Sequence, residues 1–193
     1  MIVFGPKWRI LREELIPDDM KFRFEKNYLI LRMSSGDFIK CINITRTKMI
    51  QTIKTLTEGL FSILRDDPVR PKIPHSQRIG KNKDIFVLRG IGKKVTAITC
   101  VSYQNFVPTG EFELFQECNN PNIAIFYTIW SYAPGSGRRL IFESLNSIQK
   151  EHSEITRFLT LSPKSEMAEK FHFRNGAKVF RVNDETINYE YFK

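Results

Sequence analysis

Two short segments carry residue types that could do chemistry. The first is Tyr132-Ala-Pro-Gly-Ser-Gly-Arg-Arg-Leu140, between an apolar run at 122–131 and an amphipathic pattern from 136. Gly135 and Gly137 let the backbone approach a ligand without Cβ atoms in the way. The first amides of a helix then point into the strand–helix turn and favour an anion, with Arg138 and Arg139 adding charge. A GxG pair is most often an ordinary turn, and its placement brings a phosphate site level with that reading. No third glycine follows at dinucleotide spacing, and the GK[ST] ending of a P-loop is missing.

The second segment is Leu159-Thr-Leu-Ser-Pro-Lys-Ser-Glu-Met-Ala-Glu-Lys-Phe-His-Phe-Arg-Asn-Gly-Ala177. Ser162 ends a strand, Pro163 opens a helix, and Asn175-Gly176 closes it. His172 suits general acid–base work near neutral pH, and Ser162 suits hydrogen bonding to an anionic intermediate. Taken singly, each also has a plain structural reading. Ser162 is then a helix cap, and His172 is a last-turn histidine favoured by the helix dipole, with Met167, Phe171 and Phe173 in the core. A straight helix from Pro163 separates the two by about three turns, roughly 15 Å, so direct contact is not expected.

These segments need a scaffold. The spacing predicts strands at 85–89, 94–103, 111–117 and 122–131, and a helix at 136–151. A strand at 157–162, a helix at 164–175, and strands at 177–182 and 186–192 complete the pattern. Strands flanking single helices imply parallel crossovers in a mixed α/β sheet. Upstream, 22–33 and 37–43 read as a hairpin across Ser34-Ser35-Gly36. Apolar Met49, Ile50, Ile53, Leu56, Leu60, Ile63 and Leu64 predict an amphipathic helix over 47–64, with Thr45 or Thr47 as N-cap. Residues 66–83, with three prolines and five Lys or Arg, read as an exposed basic loop in which His75 is solvated.

From about residue 94 onward the chain resembles the GNAT (acyl-CoA N-acyltransferase) superfamily. The pyrophosphate loop Q/R-x-x-G-x-G/A is similar to Tyr132-Ala-Pro-Gly135-Ser-Gly137. The signature A-x-x-F-Y-x-x-x-G-F is similar to Ala168-Glu-Lys-Phe171-His172-Phe-Arg-Asn-Gly176-Ala177, with histidine where the acetyltransferase tyrosine stands. Four motifs in order look like the catalytic domain of the malonyl-CoA decarboxylase family: Ala124-Ile-Phe-Tyr-Thr-Ile129, Phe158-Leu-Thr-Leu-Ser162-Pro163, Phe171-His-Phe-Arg-Asn-Gly-Ala177 and Asn188-Tyr-Glu-Tyr-Phe192. That family carries a long insertion between its serine and histidine motifs, where this chain has nine residues.

The resemblance implies a mixed, mostly antiparallel sheet with a splayed central parallel pair and helices on both faces. It implies residues 85–193 as the catalytic domain, with 1–84 an extension packed on it. Coenzyme A, as acyl-CoA substrate, would be bound by Ile129, Trp130, Ser131, Gly135, Ser136, Gly137, Arg138, Arg139 and Asn175. Ser162 and His172 would be catalytic, no metal would take part, and the 3′-phosphate would meet Arg138, Arg139 or cations of 70–83. The implied reaction is decarboxylation of malonyl-CoA or a related acyl-CoA. The alternatives are acyl transfer to an amine and a non-catalytic CoA-binding module.

Composition sets the bounds. The 193 residues are 41% hydrophobic and 12% aromatic, enough for a core. The net charge of +9 is uneven. Residues 1–100 hold 20 Lys+Arg and 10 Asp+Glu, and residues 101–193 hold 10 and 11. A basic half joined to a neutral half argues against a nucleic-acid-binding protein. Cys41, Cys100 and Cys118 lack metal-ligand spacing and read as buried free thiols. The absence of a leader and of a spanning apolar run predicts a cytoplasmic protein without a membrane partner. Self-association into a homo-oligomer is left open.

Overall fold

The computed structural model describes residues 20–25, 28–33, 38–43, 50–55, 62–90 and 94–192. The chain divides into two compact units, Met1–Met49 with Arg89–Lys94, and Ile50–Leu88 with Val95–Lys193. The first unit contains β1 (Met20–Glu25), β2 (Tyr28–Met33) and β3 (Phe38–Asn43), paired antiparallel in that order. Met20 faces Met33 and Tyr28 faces Asn43, so the expected single strand over 22–33 is two strands of a meander. Polar Glu25-Lys26-Asn27 separates their apolar runs in the sequence. Cys41 lies in β3.

The second unit is built on an eight-stranded sheet of β4 (Ile50–Ile53), β5 (Lys83–Arg89), β6 (Val95–Gln104), β7 (Ile123–Ser131), β8 (Arg157–Thr160), β9 (Ser162–Pro163), β10 (Lys178–Val182) and β11 (Thr186–Tyr191). Its order is β10-β11-β8-β7-β6-β5-β4, with β9 also paired to β11. Pairings β4–β5, β6–β7, β8–β11 and β10–β11 are antiparallel. Only β7–β8 is parallel among the described pairs, because helix α1 (Ser136–Glu151) carries the chain back between them. Helix α2 (Glu166–Arg174) follows β9. No described helix is long and apolar enough to cross a membrane.

Both faces of the sheet are covered. Leu140, Ile141, Leu145 and Ile148 recur at helical spacing on α1 and are buried, with α1 against β6 and β7. On the opposite side, Ile85, Val87, Ile98, Cys100, Ile123 and Ile125 form a core with Leu64, Ile73 and Leu114. Leu64 comes from a short helical turn, Ile73 from a bend and Leu114 from a 3-10 turn, rather than from long helices.

Two expected elements are corrected here. Residues 50–53 of the expected helix are strand β4, with Ile50 opposite Leu88 and Ile53 opposite Ile85. Pairing to the free edge of β5 overrides local spacing, and only 62–64 are helical among the described residues of that stretch. Thr45 and Thr47 lie outside the described residues. The expected strand at 111–117 is a 3-10 turn, Phe112–Phe115. Strand β6 already has β5 and β7 on its two edges, so 111–117 has no ladder to join. Instead, Ser102 Oγ and Gln104 Nε2 donate to the Leu114 carbonyl at 2.7 and 3.1 Å.

The basic 66–83 stretch is a loop with exposed residues such as Lys72 and Lys81, but it is not wholly exposed: Asp67, Arg70, Ile73 and Arg78 are buried. It is wound around the Asp67–Arg78 pair, whose side chains are wholly buried at 2.6 Å. Asp67 Oδ1 accepts from the amides of Val69 and Arg70 and from Thr128 Oγ1, at 2.8, 3.0 and 2.8 Å. Arg78 Nη2 donates to the Arg70 carbonyl at 2.6 Å. A charge this deep persists only when paired and hydrogen-bonded on most sides. His75 opens the 3-10 turn His75–Arg78 and is half-buried. Replacing Asp67 with Ala, which strands the Arg78 charge, is expected to cost about 3–5 kcal/mol in urea unfolding.

Candidate active site

The parallel pair is the starting point. Ile123 to Phe126 of β7 register with Arg157 to Thr160 of β8, and the Leu161 amide donates to Phe126 O at 3.0 Å. Beyond that the strands part, and the chain continues along β11, its partner since β8, with Ser162 opposite Ile187 and Pro163 opposite Thr186. On the other edge of β7 the register with β6 slips by one residue, Cys100 facing Thr128 and Val101 facing Phe126. The extra residue, Tyr127, reverses side-chain parity along the rest of β7. Ser131 is thereby brought to the same cleft as the start of α1.

Gly135 caps α1 in the left-handed region at φ 74°, a conformation that costs any side chain. The Ser136 amide donates to Ala133 O and the Arg139 amide to Gly135 O. The amides of Gly137 and Arg138 are left at the positive end of the helix. A Cβ on Gly137 would stand 3.3 Å from Phe171 Cε2, so this glycine makes room for a side chain of α2. An open cleft of about 630 Å³ lies between these elements.

Five of the expected cofactor residues meet there: Ser131, Gly135, Gly137, Arg138 and Asn175. Arg138 Nη1 donates to the Arg174 carbonyl and to Asn175 Oδ1, at 3.2 and 3.1 Å, tying the two helices together. The others stand apart from its lining. Arg139 pairs with Glu143 at 2.6 Å along α1. Trp130 is buried, and its Nε1 donates to the Tyr132 hydroxyl at 3.0 Å. Ile129 and Ser136 are half-buried. From α2 the cleft also takes Met167, Lys170, Phe171 and Arg174, which sequence reasoning had assigned to core or left unassigned. Arg70 and Arg78, two expected phosphate cations, are instead committed to buried partners.

The expectation that Ser162 and His172 stay apart is overturned. Ser162 Oγ lies 2.8 Å from His172 Nε2. Pro163 belongs to β9, and α2 begins only at Glu166, capped by Ser165 Oγ, which accepts from the Ala168 amide at 3.3 Å. The turn at 163–165 sends the helix back over the strand it left. Its end is fixed as tightly as its start. Gly176, at φ 82°, donates to Phe173 O, and the Ala177 amide donates to the His172 carbonyl at 3.1 Å.

Two residues missed in the sequence complete the arrangement. His172 Nδ1 lies 2.8 Å from the Tyr191 hydroxyl, and the ring stacks on Tyr189 at 4.6 Å between centroids. Ser162 Oγ also reaches Thr160 Oγ1 at 3.0 Å, and that oxygen accepts from the Tyr189 amide. The signal was the i, i+2 repeat of Tyr189 and Tyr191, which puts both rings on one face of β11. Burial lowers the His172 pKa to about 4, so the ring is neutral at physiological pH. Burial likewise pushes the Tyr191 phenol up and keeps it protonated. With the ring proton on Nδ1, Tyr191 accepts and Ser162 donates to Nε2. With it on Nε2, Tyr191 donates, and Ser162 accepts from the ring while donating to Thr160.

The forked sheet, with a helix starting beside the fork and a second helix flanking the same cleft, is a GNAT-like fold. Over part of its length it is shared with solved malonyl-CoA decarboxylases. The Agrobacterium vitis enzyme matches with TM-score 0.53 and 17% identity, covering 63% of this chain and 35% of its own. The Rhodopseudomonas palustris enzyme matches with TM-score 0.51 and 19% identity, covering 69% and 38%. The protein smu.2055 from Streptococcus mutans matches with TM-score 0.50 and 17% identity, over 73% of this chain and 98% of its own. The chain thus spans a little over a third of the length of those decarboxylases. No protein-family model and no curated protein matches the sequence.

The buried ring has a measurable consequence for stability. His172 titrates near 6.5 when unfolded and near 4 when folded, so its contribution is complete above about pH 6.5 and lost as pH falls toward 4. Urea unfolding is expected to lose about 3 kcal/mol over that window from this group. The His172→Gln variant should show a correspondingly flatter profile.

Proposed function

We propose that the chain binds an acyl-CoA and decarboxylates malonyl-CoA, or a close relative, to acetyl-CoA and CO2. The observation that carries this reading is the buried Thr160–Ser162–His172–Tyr191 line beside the parting of β7 and β8. The pyrophosphate would rest on the amides of Gly137 and Arg138 at the head of α1. The pantetheine arm would then follow the parted strands toward Ser162. Breaking the bond to the carboxylate sends its electron pair into a thioester enolate. The Ser162 hydroxyl is the group to hydrogen-bond that oxygen. Carbon-2 then takes a proton, replaced along the line from Tyr191 through His172 to Ser162 and ultimately from water. A neutral ring suits this passage, since it accepts at one nitrogen while donating at the other.

The test is incubation with malonyl-CoA, with and without amines, read by mass spectrometry. Acetyl-CoA and CO2 should form without any acceptor. His172→Ala should lower that rate by about 10²–10⁴, and Ser162→Ala should also lower it. Turnover that requires an amine would instead place the chain with the acyltransferases. Binding of CoA without turnover of any thioester would leave a CoA-binding module.

A further inference from the structure

The fork is not empty. After the Leu161-to-Phe126 rung, the next carbonyls on its two inner edges are those of Tyr127 and Leu161, and both are taken by one side chain. Arg70 Nε donates to Tyr127 O at 2.8 Å, and Nη2 donates to Leu161 O at 2.7 Å. The guanidinium therefore stands where another ladder rung would be, one peptide unit from Ser162. Its own backbone is clamped on both sides: the amide donates to Asp67 Oδ1 at 3.0 Å, and the carbonyl accepts from Arg78 Nη2 at 2.6 Å. The head group is thus preorganised.

Its charge is balanced differently from that of Arg78. Asp67 already serves Arg78 within a wholly buried pair. The carboxylate on Arg70 is Glu111, whose Oε2 accepts from Nη1 at 2.9 Å. The Arg70 side chain is 8% exposed, while that of Glu111 is 44% exposed on the segment leading into the 3-10 turn. A nearly buried cation needs an anion beside it, but not this particular one. An incoming carboxylate that displaced Glu111 into water would keep Arg70 paired. A neutral group in the same place would leave it unpaired or meet the closed pair.

We infer that Arg70 determines substrate class: the fork selects acyl-CoA thioesters whose acyl group ends in a carboxylate, which exchanges with Glu111 on the guanidinium. This rests on the acyl-CoA reading above. Arg70 acts in binding, while Ser162 and His172 act on the thioester carbonyl side.

The test uses two unreactive thioethers that differ only at the acyl end, S-(2-carboxyethyl)-CoA and S-propyl-CoA, titrated into the full chain by calorimetry. The carboxylate ligand is expected to bind about tenfold or more tightly than the neutral one. Glu111→Gln, which keeps an oxygen to accept from Arg70 Nη1, should widen that ratio by removing the competing carboxylate. Arg70→Lys keeps the charge but cannot span three acceptors, and should bring the ratio of the two affinities close to one. Equal binding of the two ligands by the wild-type chain overturns the inference, as does a ratio unmoved by Glu111→Gln. Arg70→Lys weakening both ligands equally would do the same, making Arg70 a wedge only. If neither ligand binds, the acyl-CoA reading falls with it, a result distinct from equal binding.

Discussion

Everything at the site follows from two parallel strands that pair for four residues and then separate. A parallel ladder needs a crossover, and α1 supplies it, so a helix N-terminus is delivered to the end of β7. Separation leaves inner-edge carbonyls without strand partners, which the interior does not tolerate. Arg70 answers two of them, and that in turn requires the 66–78 segment to cross the sheet with a charged side chain aimed inward. The chain past β8, no longer held by β7, follows β11 alone and turns into α2. The Ser162–His172 contact is a product of that diversion.

Two kinds of polar burial coexist within a few residues. Around Asp67 and Arg78 the charges are matched and immobilised. Around His172 no charge is present, because aromatic packing drives the proton off the ring and holds it on the phenol. The neutral line can pass a proton without creating a buried ion at either end. The tightly paired cluster supports the strands between which a ligand would lie.

Much of this was readable from residue order. Helix α1 begins and ends where apolar spacing places it, and the turn at Asn175-Gly176 is the cap that its residue types predict. The motifs single out Ser162 and His172, which the structure brings into contact although the sequence spacing placed them apart. A proline after a strand reads as a helix start, whereas Pro163 sits in a short strand opposite Thr186, where β11 offers a partner. The failures upstream share one cause. Residues 50–53 and the basic stretch at 66–83 take their conformation from distant strands, so neither local period nor composition could describe them. Nor does alternation along β7 reveal that the register slips at Tyr127. Arg70 was legible only as one of several cations, since nothing local marks a side chain whose acceptors lie 57 and 91 residues away.

The serine and the histidine lie on one uninterrupted run of eleven residues, 162–172, bounded by a strand pairing and a helix cap. Reactive pairs are commonly recruited from remote parts of a chain and exist only once the whole domain has closed. Here the loop to be closed is short, so its entropic cost is small, and the contact can form as soon as α2 folds back. The phenol comes from β11, nineteen residues beyond the histidine. Fraying of the C-terminal strand would therefore uncouple Tyr191 from the ring while leaving serine and imidazole in touch, which separates the lifetime of the pair from that of the full relay.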